Sequence, residues 1–290
     1  MEKAKNTLLL LLTSMIWGSA FVAQRTGMEH VGPFTFQVAR CFLGALSLLP
    51  ILFWQKKRQG ARFVVPSLKA SLLCGLVLLI ACSTQQIGLV STSASKAGFI
   101  GSLYIVVVPV ICFFLKQRTP RKVWVSVALS VAGLFLISGL LGGTGGVQTG
   151  DLWVLASAFF YGVHILVVAR FAPHVNGVAL SAAQFLVAGL CTIPLVLLFE
   201  EPAWADIVDA RWGILYTGIL SSGVGYTLQI IAQSRVPSTL ASLVLSLESV
   251  FSLLAGMIVL GESLHGTEWI GCALVLAAVI ISQLPEKRRV

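Results

Sequence analysis

The chain has 290 residues, 57% hydrophobic and 11% charged, with a formal net charge of +9 and a mean hydropathy of +0.93. That is more apolar material than a soluble core uses, and it marks an integral membrane protein. Apolar blocks consume nearly the whole length and leave no room for an extramembrane catalytic or nucleotide-binding domain. The absence of GxxxxGKS/T, HExxH and CxxC motifs argues further against ATP hydrolysis and a metal-dependent active site.

Ten blocks are predicted as helices, at about 7–25, 33–55, 66–88, 92–115, 121–141, 150–171, 177–199, 211–233, 237–260 and 266–284. Each is about 19–24 residues, the length that carries a helix across about 30 Å of hydrocarbon, whereas barrel strands would alternate apolar and polar residues over about ten positions. Block 1, KNTLLLLLTSMIWGSA, mimics a signal peptide, but a matching block later in the chain argues for a retained helix. Block 2 contains Arg40, about seven residues from one end; pairing with loop carbonyls or an acid is the favoured role, with substrate contact as the alternative. Block 4 has Lys96 at its outer end, read as a charge that snorkels to the interface or meets a carboxylate, and holds Pro109, which removes a backbone bond and predicts a kink.

Block 6 holds Tyr161 and His164, the histidine having no second metal-ligand type near it in sequence. Block 8, GILYTGILSSGVGYTLQ, is dense in small residues that let helices slide, so Gly223 and Gly225 join Pro109 as candidate hinges, and Tyr226 lies beside them. Block 9, SLVLSLESVFSLLAG, carries Glu248 at its middle. An ionised acid at the bilayer centre costs about 2.5–3.5 kcal/mol on insertion scales, so it faces the bundle interior, is protonated or has a partner. The six cysteines are irregularly spaced within helices and read as small packing residues.

With the first residue inside, cytoplasmic segments carry 16 of the 20 basic residues, including Lys56, Lys57, Arg58 and Arg62, while eight of the eleven acids lie at outer ends. The positive-inside rule then places both termini in the cytoplasm and makes the basic clusters topology signals rather than nucleic-acid sites. Shifted by 144 or 145 residues, the chain matches itself: Trp17-Gly18 with Tyr161-Gly162, Pro50 with Pro194, Gln85 with Gln229, Leu115 with Leu260 and Trp124 with Trp269. The charge preference of the loops reverses as well, QKKRQGAR after block 2 answering to EEPAWADIVD after block 7. The expected fold is all-α, ten transmembrane helices in two inverted five-helix repeats, residues 1–145 and 146–290. Such repeats open a shared site to either face by rocking.

SMIWGSAFVAQR, FQVARCFLGAL, TSASKAGFIGSLYIVVVPV and VPSTLASLVLSLESVFSLLAGMIVLGESL together resemble the EamA family of the drug/metabolite transporter superfamily over essentially the whole chain. The first half departs from the pattern, with LKQRTP where a Leu-Gly-Glu ending is common. The resemblance implies a secondary transporter in the cell membrane with a cavity lined mainly by blocks 1, 3, 4, 6, 8 and 9, many members exporting amino acids or related metabolites.

At about 1.5 Å per residue, Trp17, Tyr104, Tyr161, Ser221, Ser222 and Glu248 fall within about one turn of the midplane. With Gln85, Tyr226 and Gln229 they form the candidate substrate-binding set, and Glu248 and His164 are the candidates for proton or charge coupling. Helix packing is the competing role for each aromatic and glutamine. A small-molecule substrate and the lipid bilayer are the expected partners; no catalytic residue, metal or cofactor is expected. An exporter of cationic drugs or lipid-like compounds is the alternative, with a membrane enzyme or sensor further off. Substrate identity, direction, coupling ion and oligomeric state are left open.

Overall fold

The structure, a computed structural model, describes residues 2–117, 119–137, 148–261 and 266–284. The 145/146 boundary, Glu262–Leu264 of the LGESL stretch and the basic residues 287–289 lie outside the described residues. Every described element is helical. The helices are α1 (Glu2–Gly27), α2 (Pro33–Gln59), α3 (Leu68–Ser91), α4 (Ala94–Gly101), α5 (Tyr104–Phe114), α6 (Arg121–Ile137), α7 (Thr149–Phe171) and α8 (Gly177–Phe199). They continue with α9 (Trp204–Asp209), α10 (Arg211–Leu215), a π-helical stretch (Tyr216–Gly225), α11 (Tyr226–Gln233), α12 (Ser238–Leu245), α13 (Glu248–Leu260) and α14 (Gly266–Gln283).

Among the described residues, eight helical segments are long and apolar enough to cross a membrane. Blocks 5 and 10 are occupied by α6, of 17 described residues, and α14, whose apolar part is Trp269–Gln283; the two pack on each other. With water excluded, polar atoms in such helices must find partners inside the protein. Thr13, Ser102, Thr192 and Thr217 return their hydroxyls to carbonyls four residues back, at 2.7–2.9 Å. Helix starts are capped by Ser67 on the Ala70 amide and Asn176 on the Ala179 amide. The start of α2 is capped by a residue distant in sequence: Glu200, just beyond α8, accepts from the Phe34 and Thr35 amides at 2.8 and 2.7 Å and from the Thr35 hydroxyl at 2.6 Å.

Two blocks expected as single helices are broken. Block 4 breaks at Ser102–Leu103 and block 9 at Ser246–Leu247, where hydrogen bonds tighten to i→i−3. In block 4 the break precedes Pro109, which sits inside α5. Proline lacks a donor for the carbonyl four residues earlier and crowds it, so the disturbance falls on its N-terminal side. Block 9 has no proline at its break, and the Ser242 and Ser246 hydroxyls instead bond carbonyls three residues back.

Ser102 and Ser246 are 144 residues apart, as are Tyr104 and Glu248, the first residues of α5 and α13. Flanking contacts share the spacing. Gly18 of α1 packs so closely on α13 that a Cβ would lie 2.7 Å from both the Glu248 carbonyl and the Ser252 amide; Gly162 of α7 packs on α5, a Cβ lying 2.7 Å from Val107 Cγ1.

Candidate functional site

The breaks end at one cavity, a space of about 480 Å³ between the side chains that is partly open to its surroundings. Irregular backbone is tolerated at membrane depth where it is buried in protein or lines a cavity. α1 contributes Trp17, Phe21 and Gln24, spaced by four and three residues and so on one helical face. α2 contributes Arg40 and α3 contributes Gln85; Gly101 ends α4 and Tyr104 starts α5. From the second half come Tyr161 and His164 of α7, Ser221 of the π-helical stretch, Tyr226 and Gln229 of α11, and Glu248 at the start of α13. All of these are buried.

Aromatic groups form one wall. Trp17 and Tyr226 stack at a tilt of 49° with ring centroids 4.5 Å apart, and Phe185 meets Tyr226 edge-on at 5.0 Å. The Trp17 indole N–H donates to the Ser221 carbonyl at 3.4 Å. The π geometry displaces that stretch from α-helical register, the Tyr226 amide bonding the Ser221 carbonyl five residues back. Gly223 and Gly225 lie in the same stretch, and Ser222 is buried there with its hydroxyl unpartnered.

The polar groups form two sets. Around Arg40, Nη1 donates to Gln24 Oε1 at 2.8 Å and Nη2 reaches Cys82 Sγ at 3.9 Å, while Nε has no partner. Gln24 Oε1 also accepts from Gln86 Nε2 at 3.0 Å. The partner of Arg40 is thus a glutamine of α1 rather than a loop carbonyl or an acid. An arginine this deep in α2 stands between α1 and α3, whose side chains take its donors. The Tyr161 hydroxyl donates to Gln85 Oε1 at 3.1 Å and lies 3.3 Å from Cys82 Sγ.

At Glu248, Oε1 lies 3.4 Å from the Ser102 hydroxyl, whose one proton is shared with the nearer Gly98 carbonyl at 2.7 Å. The Tyr104 hydroxyl lies beside the same carboxyl without closing a hydrogen bond of regular geometry. Both amide atoms of Gln229 are buried without partners, so Gln229 and Gln85 line one cavity with unlike bonding. His164 Nε2 is 3.0 Å from Gln184 Oε1. No group of three His, Cys, Asp or Glu among the described residues is placed to hold a metal ion.

Lys96 lies outside the cavity. Its ammonium pairs with Asp151 at 2.5 Å; Asp151 also accepts from Thr92 Oγ1 and from the Gln148 amide, both at 2.9 Å, in a capping box that starts α7. With side-chain exposures of 17% and 7%, Lys96 meets a carboxylate instead of snorkelling to water. Gln24 and Phe21 were findable from their i+7 and i+4 spacing to Trp17. Asp151 showed no such signal, because its role depends on how α4 and α7 meet.

A family model described as the EamA-like transporter family matches residues 5–139 and again 148–283. The chain is 29% identical to a protein of Archaeoglobus fulgidus named an uncharacterized transporter, over 95% of this chain and 84% of that one. It is 28% identical to the threonine/homoserine exporter RhtA of Salmonella typhimurium over 61% of this chain and 59% of that one. A solved crystal structure superposes with a TM-score of 0.81 at 18% identity, covering 96% of both chains, a likeness in fold.

Proposed function

Because the chain belongs to the EamA-like transporter family of the drug/metabolite transporter superfamily, we propose that it is a secondary active or facilitative transporter exporting amino acids or related small metabolites. The observation that carries this is the central cavity, walled by residues from both halves of a multi-pass membrane chain and offering aromatic faces beside polar groups. Such a site suits a small solute that leaves water entirely while it crosses. RhtA, by its name an exporter of threonine and homoserine, supports the solute class.

Alternating access follows from the proposed architecture: ten spanning helices in two inverted five-helix repeats, with both termini at the cytoplasmic face of the cell membrane. Three observations support it. The family model matches twice in succession, the helix breaks and glycine contacts recur at a spacing of 144 residues, and basic residues concentrate on the predicted inner segments. Rocking of one repeat against the other would open the cavity to each face in turn. Trp17, Gln85, Tyr104, Tyr161, Ser221, Tyr226, Gln229 and Glu248 are the proposed substrate contacts, with Glu248 and His164 the groups a coupled proton would use. Pro109, Gly223 and Gly225 are the proposed hinges.

The test is flux in proteoliposomes loaded with pooled radiolabelled amino acids and metabolites, with and without a pH gradient. Saturable flux of one pool is expected; its absence from every pool would refute the reading. A change with the gradient would place coupling on the Glu248 or His164 variant that abolishes it.

A further inference from the structure

We infer that the cavity is a two-pole site in which Arg40 binds the carboxylate of a zwitterionic solute and Glu248 binds its ammonium group. The inference rests on the transport reading above and names the charge pattern of the solute. It also gives Arg40 a specificity-determining role in place of a structural one.

Arg40 is 2% exposed, and a guanidinium stays charged in proteins. One of its donors is well bonded, one reaches only a sulfur, and Nε is bonded to nothing. No ion pair compensates the cation among the described residues, whose ion pairs are Lys96–Asp151 and Arg235–Glu2. Glu248 is 5% exposed, and it likewise enters no ion pair there. A permanent cation and a titratable acid therefore line one cavity without pairing with each other, and each is short of a partner. Buried charges in native proteins are ordinarily paired and fully hydrogen-bonded.

The solute that answers both deficits is narrowly defined. An organic cation would satisfy Glu248 and be repelled by Arg40; an organic anion would do the reverse; a neutral apolar molecule would leave both uncompensated. A solute carrying a carboxylate and an ammonium satisfies both at once, with the unpartnered Gln229 amide available to its polar substituents and the Trp17–Tyr226 wall to its side chain. Arg40 is also preorganised: Gln86 holds the Gln24 carbonyl oxygen, and Gln24 Nε2 is bonded to the Ala20 carbonyl at 3.1 Å, which fixes the group that orients the guanidinium.

The experiment is equilibrium binding of radiolabelled neutral L-amino acids to the purified full-length protein, with the unlabelled parent, its O-methyl ester and its N-acetyl derivative as competitors. The ester lacks the carboxylate and the N-acetyl compound lacks the ammonium. Each is expected to compete at least about tenfold more weakly than the parent, the effect of leaving one buried charged group unpaired. Arg40→Gln is expected to abolish the preference for parent over ester, and Glu248→Gln the preference over the N-acetyl compound. Equal competition by all three on the wild type overturns the inference without recourse to any variant, as does failure to bind any neutral amino acid. Binding with the expected ranking but no flux in proteoliposomes would remove the transport reading and leave the two-pole site. Saturable flux of a solute lacking one of the charges, undiminished in the Arg40 or Glu248 variant, would do the opposite.

Discussion

Neutralising Asp151 and Lys96, singly and together, probes the buried ion pair that ties α4 to α7. Asp151→Asn keeps Oδ1 as the acceptor for Thr92 but replaces Oδ2, which accepts from the Gln148 amide and faces Lys96 at 2.5 Å, with a neutral NH2 donor. Removing one partner of a buried pair costs about 3–5 kcal/mol, because the other charge is left uncompensated. Lys96, 17% exposed, recovers some hydration, so about 3 kcal/mol is expected. Adding Lys96→Met removes the stranded ammonium and should restore most of that loss, giving a coupling of about 2–3 kcal/mol in a double-mutant cycle. Reversible unfolding in mixed micelles measures it. Single effects that add to within about 0.5 kcal/mol would refute the idea that the pair acts as a unit.

Under the proposed alternating access, the pair would hold one end of the bundle shut. Tyr104 is eight residues beyond Lys96 and Tyr161 is ten beyond Asp151, so the bridge stands about 12–15 Å along the bundle from the cavity tyrosines. Breaking it should let α4 and α7 part at that end. In a background with the other five cysteines replaced, Cys82, whose sulfur lies 3.3 Å from the Tyr161 hydroxyl, should then react faster with an impermeant maleimide applied from the bridge's side. An unchanged labelling rate in Asp151→Asn would show that the bridge does not hold this end closed.

Gly18→Ala and Gly162→Ala should each destabilise the fold by about 1–3 kcal/mol, since the added Cβ would come to 2.7 Å from atoms of α13 and α5 respectively; thermal unfolding of both variants checks this, and a neutral effect at Gly18, where the obstacle is backbone, would contradict the packing. Glu200→Ala should cost about 1–2 kcal/mol by uncapping α2 and should speed hydrogen exchange at Phe34 and Thr35. Unchanged exchange at those amides would mean that the cap contributes nothing in the membrane.

Helix positions were legible in the sequence because lipid forces the backbone to bond within each segment, so length and hydropathy suffice to find one. Interruptions inside segments were less so. Pro109 announced a disturbance in block 4 but not that the break would fall at Ser102–Leu103, and nothing in SLVLSLESV marks Ser246–Leu247 except its register with the first half. The glycine and serine content of block 8 pointed to close packing, yet the π-helical stretch depends on how α1 and α2 seat against it. The midplane estimate brought Trp17, Tyr104, Tyr161, Ser221 and Glu248 to a common depth, and the structure has them lining one cavity. Depth alone could not say what Arg40 meets, because its bond to Gln24 is fixed by the rotation of α1 about its own axis.

Under the proposed repeat, the cavity's charges expose how duplication and chemistry part company. At a spacing of 144 residues, the counterpart of Glu248 is Tyr104 and the counterpart of Arg40 is Gln184. The cation therefore belongs to the first half only and the buried acid to the second half only, while the breaks and close helix contacts that frame them occur in both. Had both halves kept the acid, two carboxylates would face each other across a dry space, each disfavouring ionisation of the other; had both kept the arginine, two permanent cations would repel. Dividing the charges between the halves gives the site a direction at its centre while the surrounding helices keep the equivalence that rocking needs. Gln184 shows what happened to the unused position: it bonds His164 at 3.0 Å, a neutral contact where the other half carries a charge.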